Sequence, residues 1–176
     1  MHITLTPNQV KFAEGVAEGR RDQNTLRRRA TNDTSYRPNV ASELQGVIGE
    51  VSAMAMLGVI PEYEKLVIPW EKFGQIKDQV ADISSDIEIK CIKNPNYNLI
   101  HEAIGLRSDK INKRFILIHW DEPNNVCSAL GWCLGSDFKQ KGAYVDMGRE
   151  DRPPFWKIDK KHLKDMSTFI TKGTII

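Results

Sequence analysis

The stretch Val80-Ala81-Asp82-Ile83-Ser84-Ser85-Asp86-Ile87-Glu88-Ile89-Lys90 reads as two strand-like runs around a polar turn. Side chains alternate along a strand, so in the second run Ile87 and Ile89 take one face while Glu88 and Lys90 take the other. In the first run the apolar positions are Ala81 and Ile83. Directly paired residues of a hairpin project to the same side, which predicts Ile83 across from Ile87. That register leaves Ser84-Ser85-Asp86 as the turn and sets Asp82 opposite Glu88. A different register, with Asp86 beside Glu88 and Lys90, remains an alternative but misplaces Ile83.

Carboxylates at cross-strand distance repel one another, so their juxtaposition asks for compensation. A divalent cation supplies it: magnesium takes one or two protein carboxylates together with waters and phosphate oxygens. Such an ion would activate water and neutralise charge on a phosphoryl group, with Lys90 orienting that water or stabilising the transition state. The competing interpretation is an ordinary solvated ion pair on a sheet face.

Upstream, residues 42–57, SELQGVIGEVSAMAML, carry Leu44, Val47, Ile48, Val51, Met54, Ala55 and Leu57 at helical spacing, with Gly58 as the stop signal. Glu50 lies on nearly the same side as Val47, Met54 and Leu57. A carboxylate along an apolar stripe needs a partner or an escape to solvent, since unpaired burial costs several kcal/mol. Lys90 or a metal-bound water is the expected partner. Strands are expected at 65–70, 78–83, 87–92, 115–120 and 126–134, and a short helix at 160–166 capped by Asp159. The segment 94–112 fits either a short helix or an extended excursion. Helix, strands, then helix indicate an α/β fold with a central mixed sheet flanked by helices.

The amino-terminal Thr6-Pro7-Asn8-Gln9 forms a helix start and capping box, followed by an apolar stripe of Val10, Phe12, Ala13 and Ala17. Residues 27–39 read as a loop or frayed helix end, closed by Pro38. Arg20, Arg21, Arg27, Arg28, Arg29 and Arg37 crowd this region. They form either a solvated helix face or a surface that contacts phosphates.

At 176 residues, with 40% hydrophobic and 27% charged residues, the chain fits one ordinary globular domain. Its core is expected at about 42–134, preceded by the helix and arginine-rich segment 1–41 and followed by an extension, 135–176. No apolar run is long enough to span a bilayer and no signal peptide opens the sequence, so a cytoplasmic protein without membrane association is expected. The net charge of +2 neither requires nor excludes nucleic acid. Cys91, Cys127 and Cys133 lack zinc-site spacing and read as buried free thiols. His2, His101, His119 and His162 form no metal or triad pattern; His119 reads as a core residue, and His101 follows the Glu-x-Lys strand closely enough to lie near it. Trp120, Trp132 and Trp156 read as core or edge aromatics, whereas Trp70 and Phe155 stand beside prolines in expected loops. No glycine-rich phosphate loop is present, so no nucleotide cofactor is expected.

The order helix with Glu, then Asp, then Glu-x-Lys in a hairpin, then further strands resembles the PD-(D/E)XK nuclease superfamily. GVIGEVSAMAMLG resembles its first core helix, ADISSDIEIKC its catalytic hairpin, and FILIHW with ALGWCLG its following strands. The Gly-Trp strand is similar to small bacteriophage and restriction-type members. Ala81 stands where the family pattern has proline, a position not needed for the chemistry. The resemblance implies a restriction-endonuclease-like core and a magnesium- or manganese-dependent deoxyribonuclease, most readily an endonuclease. Asp82 and Glu88 would be metal ligands, Lys90 the catalytic lysine and Glu50 an auxiliary carboxylate at the metal. DNA would be the partner, and a homodimer is compatible although no segment advertises an interface. The rival interpretation is a catalytically silent nucleic-acid-binding or inhibitory protein on the same fold.

Overall fold

The computed structural model describes residues 1–31, 39–69, 83, 86–102, 110–148 and 154–169. Helix α1 (Pro7–Thr31) opens with the expected capping box. Gln9 N–H donates to Thr6 Oγ1 at 3.3 Å, and Thr6 N–H donates to Gln9 Oε1 at 2.9 Å. Its buried side is Ala13, Val16 and Ala17, with Val10 and Phe12 packed alongside. The helix continues through Arg27, Arg28 and Arg29 to Thr31, where a loop or frayed end was expected. Arginine is a good helix former, and cations in the last turn complement the helix dipole, so nothing there breaks the helix.

Helix α2 (Val40–Met56) begins two residues earlier than the apolar spacing suggests. Asn39 is the reason: its side chain accepts the Ala41 N–H at 2.9 Å. The helix ends in a Schellman arrangement, with Val59 N–H on Met54 O at 2.8 Å, Gly58 N–H on Ala55 O at 3.3 Å, and Gly58 at φ 69°. The expected strand at 65–70 does not form. Tyr63–Leu66 make a single helical turn, α3, stabilised by the Lys65–Glu62 ion pair at 2.7 Å, and Val67–Pro69 carry no strand, while Trp70 lies outside the described residues.

The strands β1 (His2–Thr4), β2 (Ile87–Ile92), β4 (Arg114–Asp121) and β5 (Val126–Leu134) form a mixed sheet in the order β1-β5-β4-β2. β2 and β4 run parallel, and the other two pairings are antiparallel. β3 (Leu99–Glu102), β7 (Phe155–Ile158) and β6 (Ala143–Val145) form a second, antiparallel sheet in the order β3-β7-β6. Helix α4 (Gly135–Lys141) follows β5 directly. The fold is therefore mixed α/β as expected, but Phe155 lies in a strand rather than a loop. The short helix expected at 160–166 is instead a 3-10 turn, Lys160–His162, with a second at Met166–Thr168.

The first sheet has an apolar cluster on each face. Ile87, Ile89, Ile116, Ile118 and Trp120 meet α1 and α2 on one side. Ile92, Phe115, Leu117 and Cys133 meet Leu99, Phe138 and Ile158 on the other. Residues 135–158, expected outside the core, thus supply two of its fully buried side chains, Phe138 and Ile158. No helix among the described residues is long and apolar enough to cross a membrane.

Candidate functional site

The hairpin register predicted from the isoleucines forms: Ile83 N–H donates to Ile87 O at 3.1 Å and Ile87 N–H to Ile83 O at 3.2 Å. Both side chains enter the cluster beneath α2. Alternation along β2 then sends Glu88 and Lys90 to the opposite face with Ile92, where Glu88 stands in register with Phe115 of β4. Asp82 and its expected place across from Glu88 lie outside the described residues, as does Arg37.

Glu88 is buried, at 5% exposure. Its Oε1 lies 3.2 Å from Nζ of both Lys110 and Lys113. Burial opposes its charge, yet the ammonium groups of Lys110, Lys90 and Lys113 outweigh that penalty and hold the carboxyl below its ordinary value. Lys90 is half-buried beside them.

The lysines are placed by the turn that leads into β4. Gly135 N–H donates to Lys113 O and Ser136 N–H to Ile111 O, both at 2.9 Å, so the first residues of α4 clasp the turn. A side chain at Gly135 would run into the Lys110 carbonyl. Lys110 and Lys113 fall in or beside the segment whose structure the sequence leaves ambiguous. Their spacing of three residues before an apolar strand is the one available signal, and its use depends on knowing that β4 lies beside β2.

Asp86, the alternative partner for Glu88, is engaged elsewhere. Its Oδ2 accepts from Arg114 Nη2 at 2.6 Å and from Nε at 3.0 Å, and its carbonyl accepts the Arg114 N–H at 2.7 Å. The Arg114 guanidinium also lies 4.7 Å from the Phe169 ring centroid.

Glu50 is buried on α2, as its helical phase implies, but its partner is not Lys90. Arg20 grips it from α1: Nη1 donates to Oε1 at 2.8 Å and Nη2 to Oε2 at 2.6 Å. Nε of the same guanidinium donates to Leu66 O at 2.7 Å. Arg20 therefore serves a structural fork rather than an open phosphate-contacting surface. Because α2 packs against the Ile89 and Cys91 face of β2, Glu50 belongs to the opposite side of the sheet from Glu88 and Lys90. The structure brings together Glu88, Lys90, Lys110 and Lys113, and places Glu50 with Arg20. Among the described residues, no group of at least three His, Cys, Asp or Glu is arranged to hold a metal ion.

Of the other arginines, Arg21 pairs with Asp22 at 2.8 Å, Arg27 and Arg28 are half-buried, and Arg29 is exposed. His101 is buried with its ring edge-on to Phe115 at 5.1 Å, next to the register partner of Glu88. His119 is half-buried, with Nε2 3.2 Å from Lys93 O. The cysteines are free thiols; Cys127 and Cys133 are buried and Cys91 partly so. Burial pushes the Cys91 and Cys133 thiols up to about 12, so neither is a thiolate nucleophile near neutral pH.

No protein-family model matches the chain, and no curated protein or solved structure matches it either.

Proposed function

We propose that the chain is a metal-dependent nuclease that hydrolyses nucleic-acid phosphodiester bonds, with Glu88 and Lys90 at its centre. The supporting observation is that Glu88, buried yet held in its charged form, projects beside Lys90 from a strand whose hairpin register is set by Ile83 and Ile87. That is the register on which the assignment of Asp82 depends.

Magnesium is compatible with one or two protein carboxylates, so Glu88 together with Asp82 would hold it. The ion would supply an acidified water and charge neutralisation at the phosphoryl group. Lys90 would contribute an ammonium toward the phosphoryl oxygens on the same face. Glu50 acts at a distance, by keeping α1 and α2 locked through Arg20. Arg21, Arg27, Arg28, Arg29 and Arg37 would contact the backbone of the DNA, a positioning role without sequence information. Endonucleolytic cutting by a single chain or a homodimer belongs to the same proposal.

A second reading, a catalytically silent nucleic-acid-binding or inhibitory protein, is favoured by one observation. The two buried carboxylates that the nuclease reading draws on already have protein cations, Glu88 through Lys110 and Lys113, and Glu50 through Arg20. Calorimetric titration with magnesium and calcium separates the readings. The nuclease reading expects binding by the wild type that Glu88→Gln abolishes, whereas the absence of any wild-type binding favours the silent protein.

A further inference from the structure

We infer that Lys110 and Lys113, acting with Lys90, form an anion seat beside Glu88 that binds a backbone phosphate of nucleic acid without needing a metal ion. This rests on the nuclease reading for the identity of the ligand, and on the structure's own charge arrangement for the site.

Three ammonium groups act on one carboxylate at this place: Lys90 from β2, and Lys110 and Lys113 from the turn before β4. If every group is charged, these four described residues carry a net charge of +2, and Asp82, placed across from Glu88 by the nuclease reading, would still leave an excess of one positive charge. The Lys113 side chain is only 8% exposed, so solvent screens its charge poorly. Both turn lysines approach the same Glu88 oxygen, each at 3.2 Å. A close charge-assisted bond is about 2.7 to 2.9 Å, and an ammonium has three donors, so each lysine retains capacity for a further acceptor. A phosphodiester brings negative charge and several acceptor oxygens to meet that capacity.

The seat is also held in place. Backbone bonds from Gly135 and Ser136 fix the turn, and Lys113 N–H donates to Lys110 O at 3.2 Å. Lys110, at 24% side-chain exposure, marks the side from which solvent reaches the cluster and an anion would enter. The function read from the sequence assigned no role to either turn lysine. In the proposed reaction they hold the phosphate while Lys90 faces the reacting group.

The test measures binding in EDTA, so that metal-dependent cleavage does not enter. Wild type, Lys110→Ala, Lys110→Arg and Lys113→Gln are titrated with a short DNA duplex and, separately, with inorganic phosphate, after circular dichroism has confirmed folding. The duplex should bind wild type, with Lys110→Ala weakening it at least fivefold and flattening the salt dependence by about one unit of slope. Lys110→Arg should restore most of the affinity. If Lys113→Gln fails to fold, the two variants at the half-buried Lys110 carry the test alone. Wild-type affinity in Lys110→Ala, or absence of duplex binding by wild type, overturns the inference. Binding of inorganic phosphate alone overturns the nucleic-acid assignment. Intact metal-free binding without cleavage in magnesium would sink the nuclease reading and leave the seat standing. Cleavage by wild type with unaltered Lys110→Ala affinity would do the reverse.

Discussion

Arg20 and Glu50 join α1 to α2 through a two-pronged fork, at 2.8 and 2.6 Å, with the carboxylate buried. Removing the arginine would leave that charge without its fork. Breaking one side of a buried pair costs about 3 to 5 kcal/mol. Arg20→Ala should therefore lower the melting temperature by roughly 6 to 20 °C for a chain of this size, at about 2 to 4 °C per kcal/mol. Glu50→Gln, which removes the buried charge and keeps the shape, should lose less. Thermal melts of the two variants check the order, and an Arg20→Ala melt equal to wild type contradicts it.

The two glycines of α2 make opposite predictions. A Cβ on Gly49 would lie 2.6 Å from Cys91 Cβ and 3.3 Å from Ile89 Cγ2, so Gly49→Ala must push the helix off β2. Overpacking of this kind costs about 1 to 3 kcal/mol, enough to exceed the gain in helix propensity of up to about 1 kcal/mol. A Cβ on Gly46 meets nothing within 4 Å, so Gly46→Ala should stabilise by about 0.5 to 1 kcal/mol. Urea unfolding reads both signs.

Asp137 gives the fold an acid-sensitive joint. Its carboxylate accepts the Leu134 N–H at 2.9 Å and pairs with Lys141 at 2.8 Å. Burial opposes the charge, but Lys141, Leu134 and Lys164 overcome it and hold the carboxyl below its ordinary value. A group depressed on folding contributes stability above its unfolded pKa, about 3.9 for aspartate, and loses it as pH falls through the folded value. Asp137→Asn should cost about 1 to 3 kcal/mol at neutral pH. The difference from wild type should shrink below about pH 4. A difference independent of pH would show that the charge is not the cause.

Ile83 and Ile87 show why the hairpin was legible: two apolar residues flanking a polar turn admit one register that puts both inside. The helical phase of α2 likewise showed that Glu50 is buried. What it could not show was the partner, because Arg20 lies thirty residues away on another helix and reaches Glu50 only through tertiary packing. The same limit hid Lys110 and Lys113, whose approach to Glu88 depends on the parallel pairing of β2 with β4 and on the clasp from α4. The second sheet was missed because β3 and β6 span only 4 and 3 residues, too few to set a period. The strand expected at 65–70 gives way to a helical turn that buries Leu66 in the cluster with α1 and α2 and offers its carbonyl to Arg20, contacts set by tertiary packing rather than by local sequence.

The most direct test of the central claim is cleavage. Purified wild type, Glu88→Gln and Lys90→Ala, each confirmed folded by its thermal melt, are incubated with supercoiled plasmid, linear duplex, single-stranded DNA and RNA, with magnesium or manganese and with EDTA. The nuclease account predicts metal-dependent cutting by wild type, most readily of DNA, and a loss of about 100-fold or more in each variant. Wild type that cuts none of these substrates, or variants that cut as fast as wild type, would contradict it.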